Sequence, residues 1–381
     1  MAVYLDHNST SPPRREVVEA MAEAHATAWG NASSPHSVGA AARYAIEKAR
    51  RRLAKLIGAA SPEEIVFTSG ASEANNLALR GVCFAARRRG SGNHLIVSAT
   101  EHKAVLDTAF DLRERHGFEL TILPVGASAR VRVQELRGAL RPTTVLVSII
   151  AANNEVGSIN PIRAFADVVH DQSRARFHTD AVQLLGREPL NVVALGADLV
   201  SLNGHKIGGP KGAGALYRRE GVEIDAQISG GGQEQGLRAG TEDAPSIVGF
   251  VCAAELAVGE QSALADSWGE LRGELWRLIQ QVAPNARRNS PESDSLLNTL
   301  HVSFVGIEGS RLVMEMDRAG VAISAGSACS TGNAAPSHVL LAMGLDEATA
   351  RGGVRFSMGP TITREDVAEA ARVLEQVLGE C

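Results

Sequence analysis

Residues 200–210 read VSLNGHKIGGP, and the rest of the chain takes its meaning from them. The apolar run 198–202, bounded by turn residues, predicts a buried strand. It opens into Asn203, Gly204, His205 and Lys206, and then into Gly208, Gly209 and Pro210. A lysine at that place has a fixed base and a free tip. Desolvation makes its ammonium give up a proton more easily, and a neutral amine can form an imine with a carbonyl ligand. A lone loop lysine is ordinarily a surface group. This chain holds only five: Lys48 and Lys55 fall in a charged helical pattern, Lys103 begins another helix, and Lys211 follows the glycines. Lys206 has the setting that suits chemistry.

Other strand-like runs lie at 64–68, 94–98, 119–125, 143–150, 176–179 and 213–217, mostly separated by helical segments or turn-rich loops. With 198–202 they predict a mainly parallel seven-stranded sheet with flanking helices. In such sheets ligands gather beyond the carboxyl ends of the strands. Ahead of them come a strand at 3–5, a helix from about Arg14, and an amphipathic helix over 38–57 with Ser37 available as its cap. A long helical region, 243–282, leads to a smaller α+β unit. Its strands are expected at 299–305, 321–324 and 353–357, and its helices near 309–319, 336–343 and 364–378. The expected division is a large domain over 13–255 and a small one made of 1–12 and 256–381.

With 381 residues and 44% hydrophobic content, both units can bury a core without staples. A net charge of −5 gives no reason to expect nucleic acid as a direct partner. The basic runs Arg50 to Arg52 and Arg87 to Arg89 read as solvated helix ends favoured by the helix dipole. MAVYLDHNST has no basic region followed by a long apolar run, and no window reaches 18 uninterrupted apolar residues. Neither a secretory signal nor a membrane span is expected. Cys83, Cys252, Cys329 and Cys381 lie far apart without metal-ligand spacing, which fits a reduced, cytoplasmic setting.

The informative residues sit at the predicted strand ends. TSGASE, 68–73, leaves a strand and opens a helix whose core-facing positions include Leu77 and Val82. Free amides at a helix start favour an anion, and Ser72 adds a hydroxyl. His102 follows the next strand, where it can stack on a flat ring or move a proton. Asn154 comes after the strand ending at Ile150. Asp180 precedes Lys206 by one strand–helix–strand unit, which brings both to the same sheet edge. A carboxylate beside a heteroaromatic nitrogen keeps that nitrogen protonated, and Gln183 is placed to face the same ring. GGGQEQGLRAGTE, 230–242, lets backbone approach a ligand or a second subunit closely. Cys329 sits in SAGSACSTGN, 324–333, ten small or polar residues that read as an exposed, mobile loop. An exposed thiol is a liability unless its reactivity is used. Cys83 and Cys252 fall in apolar helical patterns and read as inert core residues.

The blocks YLDHNST, GNASSPHS, TSGASEANN, ANNEVG, HTDAVQ, NGHKIGGPKGAGALY, GGGQEQGLRAGTE, SAGSACSTG and VRFSMG run nearly end to end. In this order they resemble the pyridoxal-phosphate cysteine desulfurases, which supply sulfur for iron–sulfur clusters and related pathways. The resemblance implies the α/β fold of the type I pyridoxal-phosphate transferases and a homodimer with sites at its interface. It implies Lys206 as the lysine bonded to the cofactor, Asp180 on the pyridine nitrogen, and Asn154 and Gln183 on the phenolic oxygen. His102 would stack on the ring. Phosphate would be held by Ala71, Ser72, Asn203, His205 and the partner subunit's Thr241. Family members usually carry serine where this chain has Asn203, though an asparagine amide still donates. Arg355 would clamp the substrate carboxylate bidentately, with Asn31 nearby.

Lys206 is then the natural base, His102 helps to move protons, and Cys329 takes the sulfur of L-cysteine as a persulfide. The long loop around Cys329 resembles the branch that hands sulfur directly to an acceptor, whether an iron–sulfur scaffold or a thiolation protein. Other readings of the same scaffold are a selenocysteine lyase, an aminotransferase, or a non-catalytic assembly module. Lys206, Asp180 and His102 together argue against the module. Cys329 argues against the aminotransferase, which has no use for a mobile thiol.

Overall fold

The computed structural model describes residues 3–325 and 335–379. β1 (Val3–Tyr4) is followed by α1 (Arg15–Thr27) and α2 (Ser37–Leu56). Strands and helices then alternate: β2 (Ile65–Thr68), α3 (Ala71–Arg89), β3 (His94–Ser98), α4 (Lys103–His116), β4 (Glu119–Leu123) and α5 (Val133–Ala139). After them come β5 (Thr144–Ser148), α6 (Ile162–Gln172), β6 (Arg176–Asp180), α7 (Val192–Leu195), β7 (Leu199–Asn203) and β8 (Gly214–Arg218).

These strands form one seven-stranded sheet in the order β2-β8-β7-β6-β5-β3-β4. β8 runs antiparallel to both β7 and β2, whereas β3, β4, β5, β6 and β7 pair in parallel. Six strands therefore share one direction, and their carboxyl ends share one edge. Strands covered on both faces need no polar alternation, and β2, β3, β5, β6 and β7 are almost wholly buried. On one face Leu53, Phe165 and Phe250 pack over Ile96, Phe177 and Leu202. On the other, Leu77, Val82 and Leu106 pack over Val66, Leu95 and Leu146.

α8 (Ala244–Val282) connects this layer to a second one. There β9 (Arg287–Arg288), β10 (Thr299–Ser303), β12 (Ser324–Ala325) and β13 (Gly353–Ser357) form a sheet, and β11 (Val321–Ala322) pairs with β1. The helices α9 (Gly309–Arg318), α10 (His338–Ala342), α11 (Glu347–Arg351) and α12 (Arg364–Gly379) belong to this part of the chain. Val3 and Leu5 share a core with Trp268, Leu300, Phe356 and Leu374. The segment after β1 thus leaves the smaller layer and reaches the strand edge of the larger sheet, where Asn8 and Ser9 receive the Lys206 amine.

Several expectations need correcting. The strand expected over 321–324 is two strands, because β11 pairs with β1 while β12 pairs with β13. Ser37 is the first residue of α2 and not its cap; His36 takes that place, with Nδ1 accepting from the Gly39 amide at 3.2 Å. Arg50 is not at a solvated helix end. It is 6% exposed, donates twice to Glu234 at 2.7 Å, and also donates to the Ile65 carbonyl at 2.8 Å. Cys83 is fully buried as expected, but Cys252 is only partly buried at the margin of the core. α8 is, by length and composition, apolar enough to cross a membrane, although no uninterrupted apolar run announces it. It packs along α1, α2 and α12.

Candidate active site

The common strand edge collects the residues singled out in the sequence. Ala71 and Ser72 follow β2, His102 follows β3, Asn154 follows β5, Asp180 ends β6, and Asn203 ends β7 just before His205 and Lys206. β6 and β7 are neighbours in register, with Asp180 opposite Ser201, so the carboxylate and the lysine turn lie side by side. The turn at Lys206 requires glycine. Gly208 has φ +79°, and a Cβ there would stand 2.8 Å from the Arg14 side chain.

The lysine tip is held, not free. Lys206 Nζ donates to the Asn8 carbonyl at 2.9 Å and the Ser9 carbonyl at 2.6 Å. Burial is the main cause that lowers its pKa to about 8, with Arg355 and then Arg187 adding to the effect. Asp6 and Asp180 oppose the shift. His205, in the same turn, is lowered to about 4 by burial and by Lys206 and Lys211, and its Nδ1 lies 3.1 Å from Thr10 Oγ1.

Asp180 is 4% exposed. Its Oδ2 accepts from Asn75 Nδ2 at 2.8 Å and its Oδ1 from the Val182 amide at 3.0 Å. Behind it stands Glu101, fully buried at the end of β3, which accepts from the Ser98 hydroxyl and from the Ile150 amide. Burial raises the Glu101 carboxyl to about 8, with the nearby Asp180 charge contributing. Glu101 thus tends to neutrality, whereas the Asp180 carboxylate accepts two hydrogen bonds.

No side chain caps α3, whose N-cap is Gly70, so its first-turn amides lack a carbonyl partner. A Cβ on Gly70 would lie 3.9 Å from Asn203 Nδ2, which places that amide beside the helix start. Asn203 Oδ1 is buried and has no hydrogen-bond partner among the described residues. Close approach demands Gly214 here, since a Cβ on it would meet the Gly70 backbone at 2.7 Å. Ser72 and His102 line one cleft of about 450 Å³ together with Asn76, Lys103 and Asp107. His102 caps α4 by accepting at Nδ1 from the Ala104 amide at 3.1 Å, which puts its ring proton on Nε2. An amine below its ordinary range, a buried carboxylate and an uncapped helix start with the Asn203 Nδ2 donor beside it fit an aldehyde-bearing pyridine with a phosphate.

Other expected residues are engaged elsewhere. Gln183 donates to the Asn8 carbonyl at 3.0 Å and accepts from Arg187 at 2.6 Å. Arg355 donates to the Asn154 carbonyl at 2.8 Å, to Asp6 at 2.7 Å and to Ser9 Oγ at 2.7 Å. A carboxylate clamped by Arg355 would share it with Asp6 and Ser9. Asn31 is exposed and accepts from the Ser33 amide at 2.9 Å, and Thr241 is exposed ahead of α8. Neither joins the strand-end cluster within one chain. Cys329 lies outside the described residues. Asp6, Asn8, Ser9, Asn75, Glu101 and Arg187, none of them an expected site residue, hold the cluster in place. The polar run DHNS directly after a strand was the available signal for the first three.

The profile of the class V aminotransferases matches residues 3–369. The cysteine desulfurase IscS of Dictyoglomus turgidum is 44% identical over 376 residues, covering 99% of this chain and 94% of that protein. Among solved structures, a NifS-like protein superposes with a TM-score of 0.93 at 38% identity and covers the whole of both chains. A structure described as SspA in complex with cysteine gives a TM-score of 0.82 at 37% identity, over 94% of this chain and 99% of the other. The chain therefore belongs to the class V aminotransferase family of pyridoxal-phosphate enzymes, in its cysteine desulfurase branch.

Proposed function

We propose that this enzyme removes sulfur from L-cysteine, giving L-alanine and a persulfide on Cys329 that passes to an acceptor protein. The acceptor is an iron–sulfur scaffold or a thiolation protein. The observation that carries the reading is Lys206, a half-buried amine at the sheet edge, held at about 8 beside the end of the Asp180 strand.

Lys206 would hold pyridoxal phosphate covalently, Asp180 would face its pyridine nitrogen, and Ala71, Ser72, Asn203 and His205 would hold its phosphate. Asn154 and Gln183 would serve the phenolic oxygen, and His102 would cover the ring. When bound, the cofactor withdraws the electrons left at the substrate α-carbon by loss of a proton. The Lys206 amine takes that proton, because an amine near 8 is partly neutral at physiological pH. Arg355 orients the substrate carboxylate. The Cys329 thiolate attacks the substrate sulfur: a sulfur–sulfur bond forms as the carbon–sulfur bond breaks, and the bonding pair stays with carbon. His102 would return a proton to the three-carbon fragment, which leaves as alanine.

We assign residues 13–255 to a large domain, and 1–12 with 256–381 to a small one carrying the Cys329 loop. We also propose a cytoplasmic homodimer in which the partner subunit's Thr241 completes the phosphate site. Exposed Trp29 and Tyr44, at 71% and 64%, support an apolar contact between copies. The deciding assay measures alanine and sulfide from L-cysteine, with selenocysteine in parallel. Turnover of selenocysteine alone would replace this reading by a selenocysteine lyase, and a keto acid without alanine by an aminotransferase.

A further inference from the structure

The cations around Lys206 are unequally paired. Arg355 has Asp6 at 2.7 Å. Arg187 is 7% exposed and has no carboxylate partner among the described residues. Its guanidinium is held only by neutral oxygens. Nη1 donates to Gln183 Oε1 at 2.6 Å and to the Gln183 carbonyl at 3.1 Å, and Nη2 donates to the carbonyl of Lys206 itself at 3.2 Å. Gln183 Nε2 then donates to the Asn8 carbonyl at 3.0 Å, the same oxygen that receives the Lys206 amine at 2.9 Å. Arg187 thus reaches the lysine twice, through its backbone and through the oxygen that holds its tip.

A buried cation without a counter-ion is costly, and an apolar side chain of similar length would pack here without that cost. Burial, with Arg355 nearby, lowers Arg187 to about 10, which still leaves it charged at neutral pH. We propose that Arg187 is a positioning residue for Lys206, whose uncompensated charge favours the neutral amine and whose hydrogen bonds fix that amine at the Asn8 carbonyl. This rests on the reading of Lys206 as the cofactor lysine.

The other groups facing Lys206 are few. Asp180 from β6 and Asp6 from the segment after β1 favour its ammonium. Arg355 from β13 opposes it, but its charge is balanced by Asp6. His205 and His7 are each lowered to about 4 and are neutral at physiological pH. Arg14, which shares a cavity wall with Lys206, is neutralised by Glu260 at 2.6 Å. Arg187 is the cation left without compensation.

The test strips the full-length protein of cofactor and follows the rate of pyridoxal phosphate capture from about pH 6 to about pH 10. Borohydride reduction and peptide mapping identify the lysine. Capture by the wild type should rise with a midpoint near 8. Arg187→Gln should move the midpoint up by about half a unit to one unit, slowing capture at neutral pH about three- to tenfold. Arg187→Lys keeps the charge but cannot span Gln183 and the Lys206 carbonyl together. It should hold the midpoint and lower the plateau rate. Circular dichroism checks folding, and Arg187→Lys decides if the glutamine variant does not fold. Capture on Lys206 with an unmoved midpoint in folded Arg187→Gln, or an unchanged plateau in Arg187→Lys, would overturn the role of Arg187 alone. Capture on a different lysine in the wild type would overturn the functional reading, and this one with it.

Discussion

Asn75 Nδ2 donates to Asp180 Oδ2 at 2.8 Å, from the second turn of α3 to the end of β6. The contact ties the helix whose start would hold phosphate to the carboxylate that would face the ring nitrogen. Asn75 accepts nothing in return, since its Oδ1 is buried without a partner among the described residues. The amide is therefore kept for what it donates. Asp180→Ala should retain some cofactor yet lose most exchange of the substrate α-proton with deuterated solvent. Asn75→Ala should lose exchange about tenfold, in line with one hydrogen bond to a charged group. Unchanged exchange in Asp180→Ala would contradict the role given to the carboxylate.

Lys206 makes a prediction about stability as well as chemistry. Its amine is held at about 8, against an ordinary 10.5. Between those values the unfolded chain binds a proton that the folded chain has lost, so stability rises with pH across that window. Below about 8 the half-buried ammonium is a standing cost. Lys206→Met removes it, and the cofactor-free protein should gain on the order of 2 kcal/mol at neutral pH. The gain should vanish toward 10.5. Thermal melts of both cofactor-free proteins across this range check the sign. A variant less stable than the wild type at neutral pH would refute it.

Glu101 behaves in the opposite sense. Its carboxyl is raised from 4.5 to about 8, so the folded chain holds a proton that the unfolded chain has released between those values. The stability this supplies is complete below 4.5 and lost as pH climbs to about 8. Glu101→Gln keeps an acceptor for the Ile150 amide and cannot ionise. Its stability, read from thermal melts, should match the wild type below about pH 4.5 and exceed it above about pH 8, by on the order of 2 kcal/mol. Parallel melting curves at all pH values would mean that Glu101 titrates normally.

How far the sequence could be read follows from where each signal is stored. β3 and β13 fall on the residues expected, because an apolar run closed by turn residues carries both its period and its ends. The strand-end residues share an edge for the same reason, since alternation of strands and helices fixes a parallel sheet and the parallel sheet fixes the edge. Arg50 shows what is not stored locally. Its partner Glu234 lies 184 residues away on a turn where Glu234 and Gln235 both take positive φ, and no spacing rule links them. The Asp6–Arg355 contact spans 349 residues and is equally silent. His36 displaced Ser37 as the cap of α2 because the backbone enters the helix one residue earlier than the apolar period suggests. Arg187 carries no local signal either, since a basic residue in the turn-rich stretch after β6 reads as surface while the fold leaves it 7% exposed.

The last prediction separates the enzyme classes through the four cysteines. Cys83 is fully buried and its thiol is pushed up to about 12, so it is closed to both sulfur transfer and alkylation in the folded protein. Cys252 is partly buried with its thiol also raised by burial, at the margin of the core. Cys329, placed by sequence among small and polar residues, is the thiol expected to act. Because it acts only after substrate is bound, Cys329→Ser should keep the yellow colour of the bound cofactor and its spectral change on adding L-cysteine. The variant should release no catalytic sulfide without added reductant. Cys83→Ala, Cys252→Ala and Cys381→Ser should retain turnover. Wild-type protein given L-cysteine and then alkylated should carry an added sulfur on the peptide containing Cys329, read by mass spectrometry. Full desulfuration by Cys329→Ser, or the added sulfur on another cysteine, would end the persulfide assignment.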